Sequence, residues 1–233
     1  MRQIKYMIEN KALRWIAYID LLGTKNLIYG NKAEDIFTVY RKAIEEFKNQ
    51  SGNMEDINSI WFCDKFILYS DDNSINGYAE LEHLARWFQY HLIKEGIPVR
   101  GAISYGDFYC DKENNLFFGK PLVEAYEYSE IQNWLGLIIC PSAERKLKPL
   151  NIISGPNSAY VYTRIPTKKG LTDTSNESII LPACILPCWL PSDFQERFSQ
   201  KLKIMMQNQD DPQRIKYKNT IDFIEKNSRV INL

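Results

Sequence analysis

The order in which short apolar, β-prone runs alternate with amphipathic helices constrains this chain most. Residues 14–20 (RWIAYID) read as a buried strand. Residues 33–49 then place Ile36, Val39, Tyr40, Ala43, Ile44 and Phe47 on one helical face, and Ser51-Gly52-Asn53 ends that helix. Two strand-like runs follow at 58–62 and 66–70. Their link, Cys63-Asp64-Lys65, is short enough for a tight hairpin. A helix over 78–95 turns Leu81, Leu84, Ala85, Phe88 and Leu92 inward. Residues 97–110 form a further strand with a turn or bulge at Tyr105-Gly106-Asp107. A short strand at 116–118, a helix over 121–130 opened by Pro121, a buried strand at 135–140 and a short helix from Pro141 complete the series. The order β-α-β-β-α-β with right-handed crossovers predicts a ferredoxin-like α+β core: a mixed sheet with helices packed on one face.

That core spans residues 10–148. Residues 149–233 form a C-terminal extension, with strand-like AYVYTRI and IILPACILPCWL around a polar stretch, and two closing helices at 192–207 and 211–227. Lys+Arg and Asp+Glu are 29 each among 233 residues, so no net charge draws the chain to nucleic acid or to an anionic membrane. No apolar run approaches the ~20 residues of a membrane span. The start, MRQIKYMIENKALRW, lacks the apolar core of a signal peptide, which predicts a cytoplasmic protein. The five cysteines (63, 110, 140, 184 and 188) read as reduced, buried thiols. Cys184 and Cys188 have no histidine near them in sequence, so a zinc site is not expected. His83 and His91 read as packing residues of one amphipathic helix. The aromatic residues fall at core spacing without basic interleaving, which argues against single-strand binding.

Two acids are the candidates for chemistry, a solvated turn or capping role being the other reading of each. Asp20 ends the first buried strand and Asp64 sits at the hairpin tip, so both are expected to converge at one sheet edge. Two carboxylates brought together repel unless a cation bridges them. Mg²⁺ or Mn²⁺ is the fitting kind of ion, and two such ions can activate a hydroxyl and stabilise a leaving pyrophosphate. After Asp20, Leu21-Leu22-Gly23-Thr24 leads into a helical turn whose N–H groups could hold phosphate oxygens. Lys65 and Lys120 are further candidates for phosphate, and Glu124 for an exocyclic amine or imide N–H of a base. Arg100 has apolar neighbours and reads as half of a structural ion pair, while Tyr105 and Asp107 border the same sheet end.

Four segments resemble the class III nucleotidyl cyclases. Ala17-Tyr18-Ile19-Asp20-Leu21-Leu22-Gly23-Thr24 is similar to the F-x-D-[IL]-x-G-[FS] metal motif. Phe62-Cys63-Asp64 resembles the hairpin carrying the second metal aspartate, and Val99-Arg100-Gly101-Ala102-Ile103-Ser104-Tyr105-Gly106 resembles the V-R-x-G-I-x-x-G strand. Phe118-Gly119 followed by Val123-Glu124-Ala125 stands at the F-G-x-x-V-N-x-A-x-R helix. The resemblance covers about residues 14–145. It implies a β-α-α-β-β-α-β core, metal ligands at Asp20, Leu21 and Asp64, a nucleoside triphosphate substrate, and a head-to-tail homodimer.

The departures narrow the expectation. The positions of the family's transition-state Asn and Arg hold Val123 and Glu127, and those of its purine readers hold Ile60 and Leu116. Absent purine readers, with the E-A-Y-E style of helix, resemble the pyrimidine cyclases of bacterial antiphage (Pycsar) defence. That resemblance implies UTP or CTP as substrate and cUMP or cCMP as product. A catalytically inactive module that binds a nucleotide or dimerises is the alternative.

Overall fold

The computed structural model describes residues 11–30, 33–52, 56–154, 158–168, 179–184, 192–207 and 209–227. In chain order the elements are β1 (Lys11–Leu21), α1 (Thr24–Tyr29), α2 (Ala33–Ser51), β2 (Ile57–Phe62), β3 (Lys65–Ser70), α3 (Ile75–Lys94), β4 (Val99–Asp111), β5 (Leu116–Gly119), α4 (Lys120–Ile131), β6 (Leu137–Ile139), α5 (Pro141–Leu147), β7 (Val161–Arg164), β8 (Ile180–Cys184), α6 (Ser192–Gln207) and α7 (Asp211–Asn227). The strands form one sheet in the order β2-β3-β1-β4-β6-β8-β7, with β5 beside β4. Only the β4–β6 pair is parallel among these described strands. The β-α-α-β-β-α-β order of the α+β core is therefore the order observed.

β1 is buried without a break from Trp15 to Leu21, the pattern of a central strand covered on both faces. The two covers are different helices. Trp15 packs on Tyr78 of α3 with ring centroids 4.9 Å apart. Tyr18 meets Tyr126 of α4 edge-on at 5.7 Å. Residues 15 and 18 point to opposite sides of a strand, so α3 and α4 lie on opposite faces. This corrects the expectation of helices on one face: a strand apolar on both sides needs cover on both.

The expected bulge in β4 is also absent. β4 pairs with β1 residue for residue, from Tyr109 opposite Lys11 to Val99 opposite Leu21. Gly106 lies beside the Pro121 ring at the start of α4, where an added Cβ would make an ordinary contact at 3.4 Å. The Ser104 hydroxyl donates to the Pro121 carbonyl at 2.6 Å and holds that helix start down. α3 starts three residues before the expected 78, because the Ser74 hydroxyl accepts the Gly77 N–H at 2.9 Å and caps the helix there.

The extension continues the same sheet. β8 pairs with β6, Leu137 opposite Cys184. The Thr220 hydroxyl of α7 accepts the Leu135 N–H at 2.9 Å, and Phe223 packs edge-on against Trp134 at 4.9 Å. One buried apolar cluster runs from Trp15 through Phe88 and Ile139 to Leu202 and Ile224. α6 and α7 have the bounds expected from sequence. Cys110, Cys140 and Cys184 are buried, but Cys63 is exposed, because β2 ends at Phe62 and leaves Cys63 in the turn. Cys188 and most of the polar stretch of the extension lie outside the described residues. Among the described residues, no helix is long and apolar enough to cross a membrane.

Candidate functional site

The site begins with strand register. Asp20 on β1 stands opposite Lys65 on β3 and opposite Arg100 on β4. Three ionisable side chains are thus set side by side across neighbouring strands, on the face that α4 covers. The tip of the β2–β3 hairpin is a two-residue turn, Cys63-Asp64, with Cys63 in the left-handed region at φ 55°. A backbone bond fastens this tip to β1: the Leu21 N–H donates to the Asp64 carbonyl at 2.9 Å. The two acids therefore arrive together at the end of the sheet, although β1 is an inner strand and the meeting point is a strand end rather than an edge.

Their surroundings differ. Asp20 is buried, and both of its carboxylate oxygens accept hydrogen bonds. Oδ2 accepts from Arg100 Nε at 2.9 Å and Nη2 at 2.7 Å, and Oδ1 accepts from Lys65 Nζ. Arg100 is buried as deeply and donates further, from Nη1 to the Gln132 carbonyl at 2.8 Å and the Glu130 carbonyl at 3.2 Å. Its Nη2 also donates to Glu130 Oε1 at 2.8 Å. Glu130 Oε2 in turn accepts from Lys168 of the extension at 3.2 Å. Asp64 is about a third exposed (32%) and pairs with Lys65 at 3.4 Å. The ammonium of Lys65, itself 29% exposed, lies between the two carboxylates.

Charge follows this geometry. Burial alone would push the Lys65 ammonium down, but its hydrogen bond and charge pairing with Asp20, and the Asp64 charge, hold it above the usual lysine value. Burial would raise the Glu130 carboxyl, yet Arg100 and Lys168 hold it below the ordinary carboxylate value. Burial and the charges of Asp20 and Glu130 push the Tyr18 phenol well up. Lys216 of α7 is lowered by burial and then by the Arg100 and Lys168 charges.

The sequence candidates divide accordingly. Asp20, Asp64 and Lys65 are brought together, and Arg100 is the ion-pair residue expected. The loop after Asp20 offers less than expected. Leu21 and Leu22 have their amides engaged, the first by the Asp64 carbonyl and the second by the Pro98 carbonyl at 2.7 Å. Gly23 turns the chain at φ 80°, where a side chain would be strained. Thr24 is buried, its hydroxyl 2.9 Å from that of Tyr40, so it faces the helices rather than solvent. Lys120 is exposed at the head of α4. Glu124 has a structural partner: its carboxylate accepts the Ser142 N–H at 3.1 Å in the first turn of α5. Glu130, Gln132 and Lys168 went unread in the sequence. Nothing local marks them, since each meets Arg100 or its partner only through the fold.

Divalent ions at Asp20, Leu21 and Asp64 do not fit these side chains as they stand. An ion needs carboxylate oxygens with open lone pairs facing it. One Asp20 oxygen is held by Lys65 and the other by two Arg100 N–H groups. The Leu21 carbonyl accepts the Thr24 hydroxyl at 3.4 Å. Among the described residues, no group of three or more His, Cys, Asp or Glu is arranged to hold a metal ion.

No protein-family model and no curated protein sequence matches this chain. Solved structures do. The chain is similar to the catalytic core of a rhodopsin-guanylyl cyclase with converted specificity in complex with ATPalphaS, at 9% identity and TM-score 0.56, covering 74% of this chain and 96% of that one. It is similar to the adenylyl cyclase CyaB from P. aeruginosa, at 11% identity and TM-score 0.52, over 75% and 94% of the two chains. The guanylate cyclase domain of RhGC from Catenaria anguillulae in complex with GTP gives 10% identity and TM-score 0.52, over 74% and 96%. The fold is that of the adenylate and guanylate cyclase catalytic domains.

Proposed function

We propose that this chain is a nucleotidyl cyclase that acts on a nucleoside triphosphate. The ribose 3′-hydroxyl would attack the α-phosphate, giving a 3′,5′-cyclic monophosphate and pyrophosphate. The observation that carries this reading is the convergence of Asp20 and Asp64 at one end of the sheet, in the fold of the cyclases. In that reaction the partly exposed Asp64 takes the hydroxyl proton, and the Lys65 ammonium faces the negative charge of the triphosphate. Asp20 holds Lys65 in place and does not itself face solvent.

The favoured substrate is a pyrimidine nucleotide, UTP or CTP. Ile60 and Leu116, at the positions of the resembled family's purine readers, offer a base no hydrogen bond. A cyclic pyrimidine product fits the role of an antiphage signal. A head-to-tail homodimer is supported by apolar side chains left exposed: Phe62 at the hairpin end and Val123 on α4.

A second reading, a nucleotide-binding or dimerising module without turnover, is favoured by Val123 and Glu127. Both are exposed on α4 where the family carries its transition-state Asn and Arg. Incubation with ATP, GTP, CTP and UTP, with mass spectrometry of the products, decides between the two. A cyclic monophosphate made by the wild type and not by Asp64→Asn establishes the cyclase. Thermal stabilisation by a nucleotide with no pyrophosphate released establishes the module.

A further inference from the structure

The cation that two converging carboxylates require is already part of this chain. Lys65 is the cross-strand partner of Asp20, so strand register, not chance, aims its side chain at that carboxylate. The same ammonium pairs with Asp64, so one positive charge serves both acids. The wider cluster is balanced. Asp20, Asp64 and Glu130 face Lys65, Arg100 and Lys168 through direct ion pairs. Lys216 adds a further positive group that the Arg100 and Lys168 charges act on. A dication brought to this corner meets no net negative charge, and three of the four lone-pair sites of Asp20 are held by N–H groups.

We infer that the Lys65 ammonium is the resident counter-ion of the Asp20–Asp64 pair and fills the place where a divalent cation would bridge the two carboxylates. The unliganded protein therefore takes up no divalent ion here. Removing the ammonium leaves the Asp20 and Asp64 carboxylates facing each other with no cation between them, and that change creates a site for an oxygen-seeking ion. Arg100 cannot compensate, because its remaining donors are tied to the carbonyls of Glu130 and Gln132 and to the Glu130 carboxylate. The inference rests on the geometry of this corner and not on turnover, so its failure and that of the proposed cyclase reaction are read separately.

The test is a Mn²⁺ titration of the full chain without nucleotide, following the free aqueous ion by electron paramagnetic resonance. The wild type and Lys65→Arg, which keeps the charge, leave the free-ion signal intact. Lys65→Met and Lys65→Thr take up Mn²⁺ at least about tenfold more tightly than the wild type. The double variant Lys65→Met with Asp64→Asn loses that uptake, which places the ion between the two acids. Circular dichroism confirms that each variant is folded. Stoichiometric uptake by the wild type that Asp64→Asn abolishes would overturn the inference, and this arm stands even if the Lys65 variants fail to fold. So would folded Lys65→Met and Lys65→Thr proteins that gain no affinity, or a Lys65→Arg protein that gains as much as they do.

Discussion

Two carboxylates in this molecule are buried against arginine, on opposite faces of the sheet, and they are built differently. Glu82 and Arg86 lie one helical turn apart on α3, where Arg86 Nη2 donates to Glu82 Oε2 at 3.0 Å. The buried Tyr160 hydroxyl of the extension donates to Glu82 Oε1 at 3.0 Å. The ion pair of that cluster is local in sequence, and an aromatic residue from the extension closes it. Asp20 and Arg100 are eighty positions apart and meet only because β1 pairs with β4. Their cluster continues outward through Lys65 to Asp64, which reaches solvent. The first arrangement holds the extension to α3. The second connects a buried anchor to a polar surface, which is what a site needs: rigid groups inside and an accessible group at the end.

The largest effect expected is on the anchor. Arg100→Met removes the guanidinium and leaves Asp20 and Glu130 partly unpaired in the interior, at a cost of about 3–5 kcal/mol of folding stability in urea. An unchanged unfolding midpoint would erase the distinction between anchor and surface. The closed cluster should be less sensitive. Tyr160→Phe removes one donor to a buried carboxylate and costs about 1–3 kcal/mol, read in the same assay. A loss equal to that of Arg100→Met would show the two clusters to be equivalent.

Acid should separate the clusters further. The Glu130 carboxyl sits below its ordinary value of 4.5 in the folded chain, so its contribution is present above that value and is lost as pH falls through the lowered one. The melting temperature of the wild type should drop more steeply below about pH 4.5 than that of Glu130→Gln. Parallel curves would remove Glu130 from the anchor. The smallest change belongs to the exposed end: Asp64→Asn should shift stability by no more than about 0.5 kcal/mol, while abolishing any cyclic nucleotide product. Asp20→Asn cannot serve as such a clean probe, since it strips a buried guanidinium of its partner and the fold suffers together with the chemistry.

The strands and helices of the core were legible because their signals are local. The run RWIAYID, the spacing of Leu81, Leu84, Ala85 and Phe88, and Pro121 at a helix start each act within a few residues. α3 extends earlier than its apolar spacing suggested, because Ser74 caps it, and a cap is a polar signal outside the apolar pattern. The convergence of Asp20 and Asp64 was legible from strand order. What holds each of them was not. Arg100 on β4, Glu130 on α4 and Lys168 in the segment after β7 share no period, and only the pairing of β4 with β1, the path of α4 and the Gln132–Thr167 bridge link them into one chain of ion pairs from Asp20. The state of the loop after Asp20 was not legible for a related reason: motif spelling says nothing of which amides the neighbouring Asp64 and Pro98 carbonyls engage.

The bond from the Leu21 N–H to the Asp64 carbonyl has a wider consequence. It joins main chain to main chain, so no exchange of side chains can delete it short of a proline at position 21. The spacing between the two acid-bearing positions is therefore part of the scaffold, while the group seated between them is open to change by a single codon. Such a corner behaves as a socket: the frame is inherited with the fold, and the plug, here an ammonium, can be swapped without rebuilding the frame. A lineage could pass between different chemistries at this point by altering position 65 alone, keeping every strand where it is.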